Sequence, residues 1–156
     1  MMYKLIIFFL CSIITFGQSI TGKIVDITDG DTVKLLTIDS TLIRVRIANV
    51  DCPEKKQPFS AKAKAFTSKE VFNKMVTLEH LKTDRYGRYI GNVIYNDSLS
   101  LGKELIKNGL AWHYVKYSKD SILQSLEDTA RANKNGLWED PNAIPPWEWR
   151  NKRNKK

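Results

Sequence analysis

Asp29 and Asp31 stand one glycine apart in TDGDTVKL, Thr28 to Leu35, and ANVDCPE, Ala48 to Glu54, adds Asp51 and Glu54. Like charges repel, so carboxylates gathered this tightly require a cation, a proton or a basic neighbour. Oxygen-only ligands suit a hard divalent cation, and an irregular loop with backbone carbonyls suits Ca²⁺ better than the strict octahedron of Mg²⁺. Asp29, Asp31 and Asp51 are the candidate cluster, with Glu54 placed to hold a water at its rim. Arg46 lies on the strand leading into DCPE and Arg88 follows the YG turn, so either can bring a planar guanidinium beside the acids. Acids and arginines in one cleft serve metal-assisted phosphoryl transfer. Cation and arginines take up charge on the phosphorane, while a carboxylate orients or deprotonates the attacking water. The bland alternative is a hairpin turn at Asp29-Gly30 and surface ion pairs that add little to stability.

Other chemistry is poorly provided for. His80 and His113 are the only histidines, and neither has a second metal-type residue at zinc-like spacing. Cys52 has no histidine near it in sequence to activate a nucleophile, and no Gly-rich phosphate loop appears.

The acids need a scaffold, and the sequence predicts one. Runs at Thr21 to Thr28, Asp31 to Ile38 and Thr41 to Ala48 carry strand character and are separated by Asp29-Gly30 and Asp39-Ser40 turn signals. In the third run Ile43, Val45 and Ile47 alternate with Arg44 and Arg46, which predicts aliphatics inward and both arginines outward. A helix over Ser60 to Asn73, capped by Ser60, is predicted to bury Ala61, Ala65 and Phe72. Strands at Met75 to Lys82 and Arg88 to Tyr95 follow, joined across TDRYG. Helices at Ser100 to Asn108 and Asp120 to Asn135 end at Gly109 and Gly136. The order βββαββαα fits an α+β, mainly β fold: a five-stranded oligonucleotide-binding (OB) barrel with about three helices. Leu137 to Arg150 holds three of the four tryptophans and reads as an extended arm fixed over the domain by aromatic burial.

A chain of 156 residues has room for one core, read here as a domain over residues 18–149. Before it, residues 1–17 combine Lys4, an apolar run from Leu5 to Phe16 and small residues at Thr15 and Gly17, the pattern of a signal peptide. That run is too short to span a bilayer, so secretion or periplasmic export as a soluble protein is expected, with no stable membrane association. Loss of Met1 to Gly17 removes Lys4 and no acid, which takes the formal charge from +8 to +7 and leaves Cys52 as the single cysteine. No internal disulfide can then form, and stability must come from packing. The positive balance favours polyanions, nucleic acid first and anionic surfaces second. Residues 150–156, RNKRNKK, read as a solvated basic tail.

Taken together, DGDT, RVRIANVDCPE, TDRYGR, NGLAWHYVKYS and NGLWEDPNAIPPWEWR resemble the staphylococcal nuclease-like (thermonuclease) family over roughly Gly22 to Trp149. The resemblance implies an exported, calcium-dependent, sugar-nonspecific endonuclease on an OB barrel that cuts DNA and RNA to leave 3′-phosphate ends. By motif, Asp31 and Asp51 would bind Ca²⁺ through carboxylates, Cys52 through its carbonyl and Asp29 through a water. Glu54 would be the general base or orient the water, Arg46 would steady the scissile phosphate, and Arg88 would act on the leaving-group side. Arg85 and Tyr86 in the YG turn, and Tyr114 or Tyr117, would contact nucleotide, the tyrosines by stacking. A monomer is expected. The rival readings are a catalytically inactive nucleic-acid-binding OB module, which needs no such acid and arginine set, and a Ca²⁺-binding adhesion module, which needs no arginines.

Overall fold

The computed structural model describes residues 19–153; the predicted signal peptide lies outside these. Strands β1 (Ser19–Asp29), β2 (Thr32–Thr37) and β3 (Leu42–Ile47) form an antiparallel meander. Period-two alternation places Ile24, Val33, Leu35, Val45 and Ile47 in the core. After a two-residue β4 (Val50–Asp51) and helix α1 (Ser60–Val71), β5 (Met75–Thr83) pairs with β1, and β6 (Tyr89–Tyr95) pairs with β5. A parallel pairing of β6 with β3, Arg46 opposite Ile90, closes the sheet into a five-stranded barrel. This is the OB fold, with no open edge at the closure.

Short elements complete the domain: β7 (Leu99–Ser100), α2 (Leu101–Lys107), β8 (Trp112–His113), α3 (Ser121–Ala132) and α4 (Pro146–Arg153). Asp120 caps α3, its side chain accepting from the N–H groups of Ile122 and Leu123. Gly109, at φ 63°, ends the turn after α2, and a Cβ there would meet the Asn135 carbonyl oxygen at 2.0 Å.

Two expectations fail in detail. Helix α1 starts from Phe59 in the left-handed region without a side-chain cap, and it buries Ala63, Thr67 and Val71. Ala61, Ala65 and Phe72 face solvent instead. The helix is turned by what it packs on: Thr67 Oγ1 donates to the Gly30 carbonyl at 2.6 Å, and Ala63 lies against Gly30. A buried threonine with a backbone partner is invisible to a hydrophobic pattern. The arm after Leu137 is not extended to its end either, because Pro146 occupies a first helical position and α4 follows. The described residues therefore carry four α-helices, α4 being the one added to those expected.

Aromatic burial does fix that arm. Trp138 meets Trp112 edge to face at 5.1 Å, and Trp147 stacks on Tyr114 at 5.2 Å.

Candidate active site

The β1–β2 turn and the end of β3 meet because the Ile47 N–H donates to the Asp31 carbonyl at 2.9 Å. Gly30 lets the turn press inward: a Cβ there would lie 2.8 Å from both Ala63 Cβ and Cys52 Sγ. Asp31 is thereby buried, and its Oδ2 accepts the Cys52 N–H at 2.6 Å while Thr32 donates to Oδ1 at 3.2 Å. Asp29 turns its carboxylate to the Asp31 N–H at 3.2 Å, one shell further out.

Asp51 is held by a second route. Strand β4 pairs with β8, Asp51 opposite Trp112, and the adjacent His113 N–H donates to buried Glu127 of α3 at 2.6 Å. Glu127 is in turn paired with Arg131, which lies over the Trp138 ring at 3.6 Å. The outer helix layer thus sets the depth of an acid whose side chain is only 2% exposed.

Arg46 joins the two acids. Its Nη1 lies 3.0 Å from Asp31 Oδ2 and its Nη2 2.8 Å from Asp51 Oδ1, while Nη1 also donates to the Ile47 and Val50 carbonyls. The expectation that both strand arginines project outward therefore holds for Arg44 alone; Arg46 folds back over the barrel end and is 15% exposed. Two buried carboxylates at the strand end are a stronger attraction for a guanidinium than water.

Arg150 supplies a second guanidinium. From α4, its Nη2 reaches Asp51 Oδ2 at 2.8 Å and its Nη1 reaches Glu54 Oε1 at 2.6 Å. The tail is therefore not solvated at its first residue. Sequence reasoning missed Arg150 because a run of basic residues at a chain end gave no period; the neighbouring tryptophans were the available signal.

Arg88 is placed differently. It sits just before β6, two residues ahead of Ile90, the residue opposite Arg46. Its Nε and Nη2 are held by Asp84 at 2.8 Å, in a turn that Arg44 ties to β3 through the Tyr86 carbonyl. Contacts with Asp84 hold that carboxyl below its ordinary value, although burial opposes the shift. The structure thus brings Asp29, Asp31, Arg46, Asp51 and Glu54 together and leaves Arg88 on a carboxylate of its own, Asp84. Arg85 lies against the Tyr86 ring at 4.9 Å in the same exposed turn. Tyr114 has one face covered by Trp147, whereas Tyr117 is 62% exposed with Lys82 and Lys116 within 6 Å of its ring at 5.9 and 5.7 Å.

Electrostatics follow from burial. The Asp31 carboxyl is pushed up to about 7, chiefly by burial, which outweighs an arginine shared with Asp51. Burial likewise raises Asp51 against the opposing pull of Arg150 and Arg46. For Arg46, burial favours the neutral form, but Asp31 and Asp51 outweigh it and raise the pKa further. The Cys52 thiol is driven well up by burial and stays neutral, packed against Gly30 rather than poised as a nucleophile.

These shifts predict a pH dependence. Asp31 titrates near 7 when folded and near 3.8 when unfolded, so between those values the folded chain holds a proton that the unfolded chain has lost. The contribution of Asp31 to the stability of the metal-free protein should be fully present below about pH 4 and be lost as pH rises through about 7. Thermal unfolding in chelator across that range checks this, and Asp31→Asn should flatten the slope.

The donors are all oxygen, the chemistry a hard cation takes. With all acids ionised, Asp29, Asp31, Asp51 and Glu54 face two guanidinium groups, Arg46 and Arg150, leaving the charge of one divalent ion uncompensated. Among the described residues no three His, Cys, Asp or Glu side chains converge as a ready ligand set. An ion there would take Asp31 and Asp51 and complete its shell with carbonyl and water oxygens, which Ca²⁺ accepts readily.

The model of the family "Staphylococcal nuclease homologue" matches residues 44–140, well over half of the chain. The chain belongs to the staphylococcal nuclease family. Among its relatives in that family, an uncharacterized endonuclease of Escherichia coli O157:H7 is 34% identical over 151 residues, covering 97% of this chain and 98% of that one. An uncharacterized endonuclease of Haemophilus influenzae is 41% identical over 83% of this chain and 72% of its own. The micrococcal nuclease of Shigella flexneri is 36% identical over 83% and 79%. The matched region includes Arg46, Asp51, Glu54 and Arg88; Asp29 and Asp31 lie before it and Arg150 after it.

Proposed function

We propose that this protein is an exported, calcium-dependent endonuclease that hydrolyses phosphodiester bonds of DNA and RNA without regard to the sugar. The supporting observation is the interleaving of acids and arginines in one cleft: Arg46 bridges Asp31 and Asp51, and Glu54 stands half-buried beside them. Relatives named endonuclease and micrococcal nuclease support the same reading. The apolar run of residues 1–17 supports export, to the periplasm or beyond.

Asp31 and Asp51 would hold Ca²⁺, aided by the Cys52 carbonyl and, through a water, by Asp29; the ion supplies charge stabilisation at the phosphoryl oxygens. Arg46, once the two acids have another counter-charge, would donate its fork to the phosphate. Glu54 accepts a proton from water as the water oxygen bonds to phosphorus. The P–O5′ bond then breaks, leaving a 3′-phosphate on one fragment and, on the other, an O5′ that takes a proton from solvent to become a 5′-hydroxyl. Arg88 neutralises the oxygen that departs, where its guanidinium can leave Asp84 for the phosphate. Tyr117, with its open ring and nearby lysines, is the platform on which a base stacks, and Arg85 and Tyr86 flank the strand.

The test is digestion of single-stranded DNA and RNA by the mature protein. Cleavage should require added Ca²⁺, stop in excess chelator, weaken with rising salt and yield 3′-phosphate ends. Equal cleavage with chelator present would remove the metal role of Asp31 and Asp51.

A further inference from the structure

Helix α4 and the residues just before it are held at three points, two of them on the segment Asp51 to Gln57. Trp147 stacks on Tyr114, Arg150 bridges Asp51 and Glu54, and buried Gln57 links the two segments directly. Gln57 accepts the Glu54 N–H at 2.9 Å through Oε1 and donates through Nε2 to the Ile144 carbonyl, two residues before α4. One glutamine therefore fixes both the backbone of Glu54 and the arm that delivers Arg150. The guanidinium divides between the two acids: Nη2 on Asp51, Nη1 on Glu54 and, at 3.4 Å, on Asp51 Oδ1. Its side chain is 33% exposed, so solvent and a phosphate can reach it.

Resting on the nuclease reading, we propose that Arg150 is a positioning residue of the active site that aims the Glu54 carboxylate at its water and competes with the cation for Asp51. The two effects have opposite signs. A fixed positive charge beside Asp51 opposes entry of a divalent ion. The same fork removes the rotational freedom of Glu54, which otherwise lowers the fraction of time the carboxylate is aligned. A strut that merely holds α4 down would show neither signature. Substrate should relieve the competition, because a phosphodiester offers the Nη2 edge another anion while Nη1 stays on Glu54, and metal and nucleic acid would then bind more tightly together than apart.

The experiment uses the full mature chain and the variants Arg150→Gln and Arg150→Lys. Ca²⁺ binding is measured by calorimetry without nucleic acid, and kcat and KM are measured on a single-stranded oligonucleotide at saturating Ca²⁺. Arg150→Gln should bind Ca²⁺ about tenfold more tightly and turn over about tenfold more slowly, with the loss in kcat rather than KM. Arg150→Lys keeps the charge but not the two-pronged bridge, so its Ca²⁺ affinity should match wild type while kcat still falls. Ca²⁺ affinity unchanged or weakened in Arg150→Gln overturns the proposal, as does an unchanged kcat in both variants. If tryptophan fluorescence shows α4 undocked in Arg150→Gln, the lysine variant decides alone: wild-type kcat there overturns the proposal. A wild-type protein that cuts but shows these failures leaves the nuclease reading standing. A wild type that neither binds Ca²⁺ nor cuts removes both.

Discussion

Arg46→Ala is expected to slow phosphodiester cleavage about a thousandfold at saturating Ca²⁺ and to destabilise the metal-free protein by about 3 kcal/mol. The stability loss comes from Asp31 and Asp51, both buried, which would keep their cost of burial and lose the guanidinium between them. Breaking a buried pair from one side costs more than the pair itself contributes, because the charge left behind has no water to return to. The activity loss has a separate origin, the donor fork that would meet the phosphate as charge builds on it. The two are separable by adding metal. Ca²⁺ should restore most of the melting temperature of Arg46→Ala, since a cation can replace the guanidinium on the acids, but it should not restore cleavage. Calorimetric unfolding with chelator and with Ca²⁺, set against kcat on a single-stranded oligonucleotide, reads both. Recovery of cleavage along with stability would reduce Arg46 to a counter-ion.

That separation shows what the sequence can and cannot carry. Alternation in the strands and the glycine-marked turns were enough to indicate the barrel, since period-two burial is written into residue types. The gathering of Asp31, Asp51 and Arg46 was also legible, because the acids flank strand ends that a meander brings together. Legibility ended where a polar side chain is buried by one specific partner. Thr67 turns α1 by donating to the Gly30 carbonyl, Gln57 ties Glu54 to Ile144, and Glu127 holds the His113 N–H. In a sequence each is an ordinary surface residue. Arg150 belongs to the same class: its role depends on the path of an arm of prolines and tryptophans, and no local pattern encodes where that arm lands. The two-residue pairing of β4 with β8 is likewise too short to leave a period, yet it sets the depth of Asp51.

Glu54→Gln should lower kcat by about a hundredfold to ten thousandfold while leaving Ca²⁺ affinity far less affected. The substitution is nearly isosteric, and the amide oxygen can still accept from Arg150 Nη1, so α4 stays docked and the loop stays tied through Gln57. The lost property is the capacity to take a proton from the water as its oxygen bonds to phosphorus. Glu54 is also less committed to the cluster than Asp31 and Asp51, which are buried against Arg46, since it keeps 28% of its side chain exposed. Water reaches it, and that access suits a proton acceptor better than an inner ligand. A mainly metal-binding role makes the opposite forecast: Ca²⁺ affinity would collapse in Glu54→Gln, and raising the Ca²⁺ concentration would recover the rate. Measuring kcat across a Ca²⁺ titration for wild type and Glu54→Gln distinguishes the two. A rate that stays depressed at every concentration assigns Glu54 to the proton, whereas one that climbs back to wild type assigns it to the cation.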